Sequence, residues 1–463
     1  MQPESPRASD SGHPRPRAPR AVLLHALWAG IDFESYFRHR RAHDGDPFLV
    51  RFPGFGGALF TGTASGTKEL FRAPVELLRP PEPNPIEPLV GSASLILARD
   101  AVHRRDRRLL APAFHRSRIT LYGHTVHEST VAELTGAGAG PAWTPGARID
   151  VRAAARAITL RVILRAVFGI DDPGRRAVYT AAVVEFLSAF GGPLMLVPLL
   201  RHSVFGHGPW ARFAAARDRL DELLTADLQR RRSETAGAGA DIMGLLLAAR
   251  YTDGGGCTDA ELLDQLRTLL VAGHETTATS LVWALYHLHR TPAALRRLRA
   301  ELAAVGPDPD PEDLARLPYL DAVCHETLRL HPPVPIVLRR LTGPFTLLGV
   351  DLAAGDTMGV ALPLLHSDPE TWSDPYTFTP ERFLDRGYGP FEFAPYGGGH
   401  RRCVGSTLAE YELRIALATI VSRVELALTP RYAGGRQPRA VPHNIATGPH
   451  AGITVDVVRA VAP

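Results

Sequence analysis

Tyr396-Gly397-Gly398-Gly399-His400-Arg401-Arg402-Cys403-Val404-Gly405 is the stretch whose reading decides the fold. Three successive glycines allow a tight loop in which backbone N–H groups turn inward toward one sulfur. A helix from about Val404 to Val424 follows, so its N-terminal dipole favours a thiolate at Cys403. A cysteine that is merely a small buried hydrophobe, the usual fate of a lone cysteine, needs neither the glycines nor two adjacent arginines. The loop is therefore read as a cradle for a reactive or ligating sulfur.

Upstream, Thr258 and Glu261 form a capping-box pattern, followed by apolar residues at Leu262, Leu266, Leu269 and Leu270. Pro292 ends this helix, which at 1.5 Å per residue spans roughly 45–50 Å. Ala272-Gly273-His274-Glu275-Thr276-Thr277 sits at its middle, where glycine and paired threonines cost helix propensity and need a reason. A second helix, Leu320–Leu330, stops at Pro332-Pro333 and carries Glu326 and Arg329 on one face. His103-Arg104-Arg105-Asp106-Arg107-Arg108 reads as a solvated helix face, except that His103 and Arg107 share one side at i and i+4. Phe48–Phe52 and Ala58–Thr61 alternate like strands of a small sheet.

Composition excludes several classes. The 463 residues are 45% apolar and 22% charged, ordinary for a soluble globular protein and wrong for a disordered or collagenous chain. All but Lys68 of the 52 basic residues are arginine, beside abundant glycine and proline. That bias points to a GC-rich genome, so the net charge of +4 is not taken as a sign of nucleic-acid binding. Cys257, Cys324 and Cys403 are too few and scattered for a disulfide framework. No stretch reaches the ~18 apolar residues of a membrane helix, so a cytoplasmic protein without membrane anchor is expected. Residues 1–20, rich in Pro, Ser and Arg, read as a disordered arm, and 21–463 as one domain.

The loop resembles the haem-binding loop of cytochrome P-450 enzymes, in which a cysteine thiolate is the axial iron ligand. Gly399 lies four residues before Cys403, Arg401 two before it and Gly405 two after it, while Tyr396 stands where the family usually has Phe. Phe378-Thr379-Pro380-Glu381-Arg382-Phe383 and the Glu326/Arg329 pair resemble the family's buried structural network. The resemblance implies a mainly helical P-450 fold with a small β-rich lobe. It implies haem b bound by Cys403 as metal ligand, with Tyr396 and Gly405 in the loop and His103, Arg107, Arg339 and Arg401 toward the propionates. Glu275 and Thr276 take the place of the oxygen-activating pair, Gly273 leaves room for dioxygen, and His274 falls on a variable, non-catalytic position. Pocket positions carried over are Val271, Ala272, Val334, Ile336, Val337 and Ile445.

The activity so implied is a monooxygenase that combines substrate, dioxygen, two electrons and two protons into hydroxylated product and water. Electrons would come from a ferredoxin and its NAD(P)H-dependent reductase, docking near the exposed arginines of the 103–108 cluster. The enzyme is expected as a monomer. The Arg329–Pro335 run and the cysteine loop look like soluble bacterial members related to fatty-acid and terpenoid hydroxylases, so a terpenoid, fatty acid or polyketide substrate is expected. Oxidative coupling, desaturation, peroxide-driven oxidation, or a non-enzymatic haem sensor or carrier stay open as alternatives.

Overall fold

The computed structural model describes residues 22–52, 56–191, 194–195, 198–203, 205–233, 241–252, 254–306, 309–443 and 445–461. The arm expected over residues 1–20 lies outside them. The helices that build the site are α1 (Phe33–Asp44), α2 (Ala64–Arg72), α3 (Asp100–Leu110), α4 (Val151–Ala166), α5 (Asp259–Arg290), α6 (Pro318–Leu330) and α7 (Ser406–Arg423). The chain is mainly helical, as the sequence reading expects.

α5 is the axis of the helical part. Its capping box is formed: Glu261 N–H donates to Thr258 Oγ1 at 3.2 Å, and Thr258 N–H donates to Glu261 Oε2 at 2.9 Å. The helix runs 32 residues and stops before Pro292, which begins the next helix. From Thr277 to Leu288 every residue is buried, because α4 and α7 pack against it from different sides. Trp283, fully buried, is among the largest side chains in that core.

The strand-rich lobe is a five-stranded sheet of β1 (Phe48–Phe52), β2 (Gly56–Thr61), β3 (Leu78–Arg79), β4 (Ile336–Leu341) and β5 (Thr357–Ala361), in the order β1-β2-β5-β4-β3. Phe48 faces Phe60 across the β1–β2 pair, and β2 pairs with β5 in parallel. The sheet keeps small cores of its own: Phe37, Phe48 and Phe60 on one side, Phe71, Met358 and Val360 on the other. One consequence is positional. α2 and β4, elements of this lobe, supply residues that meet the cysteine loop.

α7 carries an unusual core residue. Glu412 is 2% exposed, its Oε1 has no hydrogen-bond partner among the described residues, and burial alone raises it to about 8. A carboxyl raised on folding binds its proton more tightly in the folded chain, so stability falls as pH rises from the ordinary carboxylate range toward 8. The slope is about 1.4 kcal/mol per pH unit. Glu412→Gln has no such group, so its melting temperature should exceed that of the parent by a margin that grows between pH 5 and pH 8. A constant margin would place a compensating partner at Glu412.

Candidate functional site

The cysteine loop owes its shape to α2. Gly397 and Gly399 have φ of 66° and 65°, the left-handed region where a side chain is strained. A Cβ on Gly398 would fall 2.1 Å from the Phe71 ring, and one on Gly399 would fall 2.6 Å from the Phe71 carbonyl oxygen. Cys403 N–H donates to Tyr396 O at 3.0 Å and Arg402 N–H to Gly399 O at 3.1 Å, closing the turn. The next residues lead straight into α7.

Water can reach Cys403, yet protein surrounds the thiol closely enough for burial to push it above its ordinary value. A side chain both reachable and enclosed lines an interior hollow. The Gly405 N–H and the guanidiniums of Arg107 and Arg402 pull the thiol in the opposite direction. The thiolate-favouring environment expected from the helix start is thus present, but without a positive partner at the sulfur burial outweighs it. Tyr396, half-buried, has its hydroxyl raised by burial and by the nearby Glu410, Cys403 and Cys324.

A row of arginines and histidines borders the loop. His103 is buried on α3 and held to about 3 by burial and then by the positive charge of Arg401, His400, Arg107 and Arg339. Its ring meets that of His400 edge-on at 5.9 Å. Arg401 donates to the carbonyls of Ala98 at 2.5 Å and Ile96 at 3.3 Å, while its Nε has no partner among the described residues. Arg339, on β4, donates to Leu338 O at 2.7 Å. Burial lowers both arginines to about 10. No ion pair joins His103, Arg107, Arg339 or Arg401 to a carboxylate among the described residues. The three arginines repel one another and fit an anion placed between them, with His103 alongside.

On α5, Glu275 is buried and gripped by Arg156 of α4, whose Nη2 and Nε donate to its two oxygens at 2.7 and 3.0 Å. The sequence reading gave Glu275 no partner; Arg156 carried no signal beyond being one arginine of many. Thr276 Oγ1 donates to Ala272 O at 2.6 Å, one turn back, which spends its proton and leaves its lone pairs open. His274 is buried, lowered to about 3 by burial, and hydrogen-bonded to Thr159 at 2.8 Å, a packing role. Gly273 also serves packing: its missing Cβ would fall 2.7 Å from Ile163 Cδ1, so the glycine lets α4 approach α5. Thr277 Oγ1 is buried without a hydrogen-bond partner among the described residues.

Of the expected pocket positions, Ala272, Ile336, Val337 and Ile445 are half-buried and Val334 is 42% exposed. Val271 is 1% exposed and packed in the main core, so it is not a lining residue. The helix turns 100° per residue, and Val271 falls on the inner face next to the accessible Ala272 and Thr276.

Behind the loop lies a buried network. Arg329 Nε and Nη2 donate to the two oxygens of Glu326 at 2.7 and 2.8 Å, and Arg382 Nε donates to Oε1 at 3.2 Å. Thr379 N–H adds a bond at 2.9 Å. Arg329 Nη1 also donates to the carbonyls of His366 and Pro375, each at 2.7 Å. His366, which the sequence reading missed, accepts from Ala394 N–H at Nε2 (3.0 Å), so its proton sits on Nδ1, 3.2 Å from Arg329 O. The triad is thereby tied to a residue two positions before Tyr396.

The chain matches the family model described as Cytochrome P450 over residues 14–441. It is 34% identical over 441 residues to cytochrome P450 135B1 of Mycobacterium tuberculosis, covering 95% of this chain and 89% of that protein. It is 34% identical over 362 residues to cyclooctatin synthase of Streptomyces melanosporofaciens, covering 74% and 75%. The structure superposes on cyanobacterial CYP120A1 with retinoic acid bound, with a TM-score of 0.82, 24% identity and coverage of 96% and 99%. Among the described residues no helix is long and apolar enough to cross a membrane. With the cysteine loop, the buried triad and these likenesses together, the chain belongs to the cytochrome P450 family of haem monooxygenases.

Proposed function

We propose that this monooxygenase hydroxylates a lipophilic small molecule of terpenoid, fatty-acid or polyketide type. The observation that carries the reading is the enclosed yet reachable thiol of Cys403 beside unpaired cations. Cys403 Sγ would hold the iron of haem b, and His103, Arg107, Arg339 and Arg401 would take its two propionates, relieving the repulsion among the arginines. Bound haem iron supplies the activation of dioxygen, one atom of which enters the substrate while the other leaves as water.

The chain's own residues set what happens around that chemistry. Ala272, Ile336, Val337 and Ile445 offer aliphatic walls that orient an apolar substrate and exclude water. The name of the cyclooctatin synthase relative agrees with such a ligand. Thr276 Oγ1, its own proton held by Ala272 O, accepts a hydrogen bond from a water and so fixes a proton carrier over the hollow. Glu275 is locked by Arg156, so it delivers protons only when that ion pair opens. Electrons would come from a ferredoxin and its NAD(P)H-dependent reductase in the cytoplasm, at a face bearing the exposed Arg104, Arg108 and Arg402, and the enzyme would act as a monomer.

The test is a screen for the low-spin to high-spin Soret shift across terpenes, fatty acids and polyketides, followed by product analysis with a ferredoxin system. A shift and a product carrying one added oxygen support the reading. Turnover with peroxide alone, coupled or desaturated products, or no product from any compound that shifts the spectrum overturns it.

Thr276→Ala should bind haem and substrate nearly as the parent does but release much of the reduced dioxygen as hydrogen peroxide. Loss of a positioned proton carrier costs typically 10²–10⁴-fold, part of which bulk water recovers. Product formed per NAD(P)H consumed, with peroxide assayed in parallel, measures it. Coupling equal to the parent's would make Thr276 a structural residue.

A further inference from the structure

Between α1 and the end of α6 the structure holds a recess of about 300 Å³, apart from the cysteine hollow and reaching the back of the Glu326 triad. His331 forms part of its inner wall, is 5% exposed, and is fixed by Trp283 stacking on its ring at 3.7 Å and 7°. Its Nε2 lies 3.0 Å from Gln437 Nε2 and 3.0 Å from His287 Nε2. An amide nitrogen only donates, so His331 Nε2 accepts and the proton sits on Nδ1. That N–H has no hydrogen-bond partner among the described residues; Glu34 Oε1, on α1, stands 4.0 Å away. A buried donor held rigidly without an acceptor is costly and calls for one.

The charges around it favour an anion. Arg38 lies over the Tyr376 ring at 5.3 Å, and neither Arg38 nor Arg439 is ion-paired to a carboxylate among the described residues. Arg329, deeper in, is neutralised by Glu326. Asp32 also lines the recess, but its Oδ1 accepts from Ser35 N–H and caps α1. Burial holds Glu34 up at about 7; Arg38 pulls it down and the charge of Asp32 pushes it up, so near neutrality about half of it carries a proton. His331 and His366 are kept neutral by burial. Two guanidiniums without carboxylate partners thus face the capping carboxylate of Asp32 and a half-protonated Glu34. Leu330, Pro363 and Leu364 supply apolar wall.

We propose that this recess binds a small organic carboxylate, its acid group taken by Arg38, Arg439 and the His331 N–H and its apolar part by Leu330, Pro363 and Leu364. The site is distinct from the substrate hollow, and through Arg329 and His366 it abuts the network that ends at the cysteine loop.

The experiment titrates haem-loaded protein, its substrate hollow filled by a tight azole, with sodium benzoate by calorimetry and with benzamide as the neutral control. One benzoate per chain is expected, with benzamide much weaker. Arg38→Gln and Arg439→Gln, at the exposed mouth, should each weaken benzoate about tenfold, the share of one charge-assisted hydrogen bond, while loading haem normally. Benzoate should also bind less well as pH rises through about 7, and Glu34→Gln should remove that dependence. No binding, benzamide binding as well as benzoate, or binding indifferent to both arginine variants overturns the proposal.

Discussion

Cys403→Ser is expected to abolish the absorption of the reduced carbon monoxide complex that marks thiolate ligation, whereas Cys257→Ser and Cys324→Ser should leave it intact. Cys324 is buried within α6, its thiol driven up by burial, and presents almost no surface to any ligand. Cys257 is bonded to the Tyr251 hydroxyl at 2.9 Å and likewise raised by burial. Only Cys403 combines access from a hollow with an N–H and two guanidiniums that favour the anion. Serine keeps the size of the side chain and leaves Gly397 and Gly399 in place, so the loop should fold. Its hydroxyl does not ionise near neutral pH, so the soft anionic ligand is lost. Far-UV circular dichroism should be unchanged while the diagnostic band disappears. Retention of that band in the Cys403 variant would remove this residue as the ligand.

What could be read from sequence was what depends on near neighbours. The capping box at Thr258 and Glu261, the stop at Pro292, and the turn made by Gly397 and Gly399 all rest on contacts within a few residues. What escaped depends on residues far along the chain. Gly398 is required by Phe71, and Gly273 is met by Ile163 from a separate helix. Nothing near Gly273 distinguishes space left for a ligand from space left for a neighbouring helix. Arg156 was invisible because its meaning comes only from the α4–α5 packing that brings it to Glu275. His366 likewise gains its role from bonds to Arg329 and Ala394, 37 and 28 residues away. The buried triad is the intermediate case: the spacing of Glu326 and Arg329 placed them on one face, and only the family resemblance supplied Arg382.

Glu326→Ala is expected to be the most damaging change in that triad, with Arg329→Ala close behind and Arg382→Ala milder. Glu326 and Arg329 are 0% and 1% exposed, and Arg382 is 8% exposed. Removing the carboxylate strands two guanidiniums in the interior, and breaking a buried pair costs about 3–5 kcal/mol. Against a net stability of about 5–15 kcal/mol, that is a large fraction. Removing Arg329 leaves Glu326 one guanidinium and one N–H, and it also frees the carbonyls of His366 and Pro375. Removing Arg382 deletes a 3.2 Å bond to Glu326 and a 3.0 Å bond to Ser373 O but leaves the two-point Arg329 pair standing. Glu326→Gln separates charge from shape: it keeps the volume and one acceptor oxygen but cannot neutralise both cations. The readouts are haem bound per chain and the melting temperature of the purified protein. Haem loading should fall along with stability, because the network holds His366 and His366 holds the Ala394 N–H two residues before the cysteine loop begins. Normal loading and melting in all three alanine variants would show that these charges do not support the site. A loss confined to stability, with full loading in the molecules that survive, would break the link from triad to loop while leaving the triad's structural role.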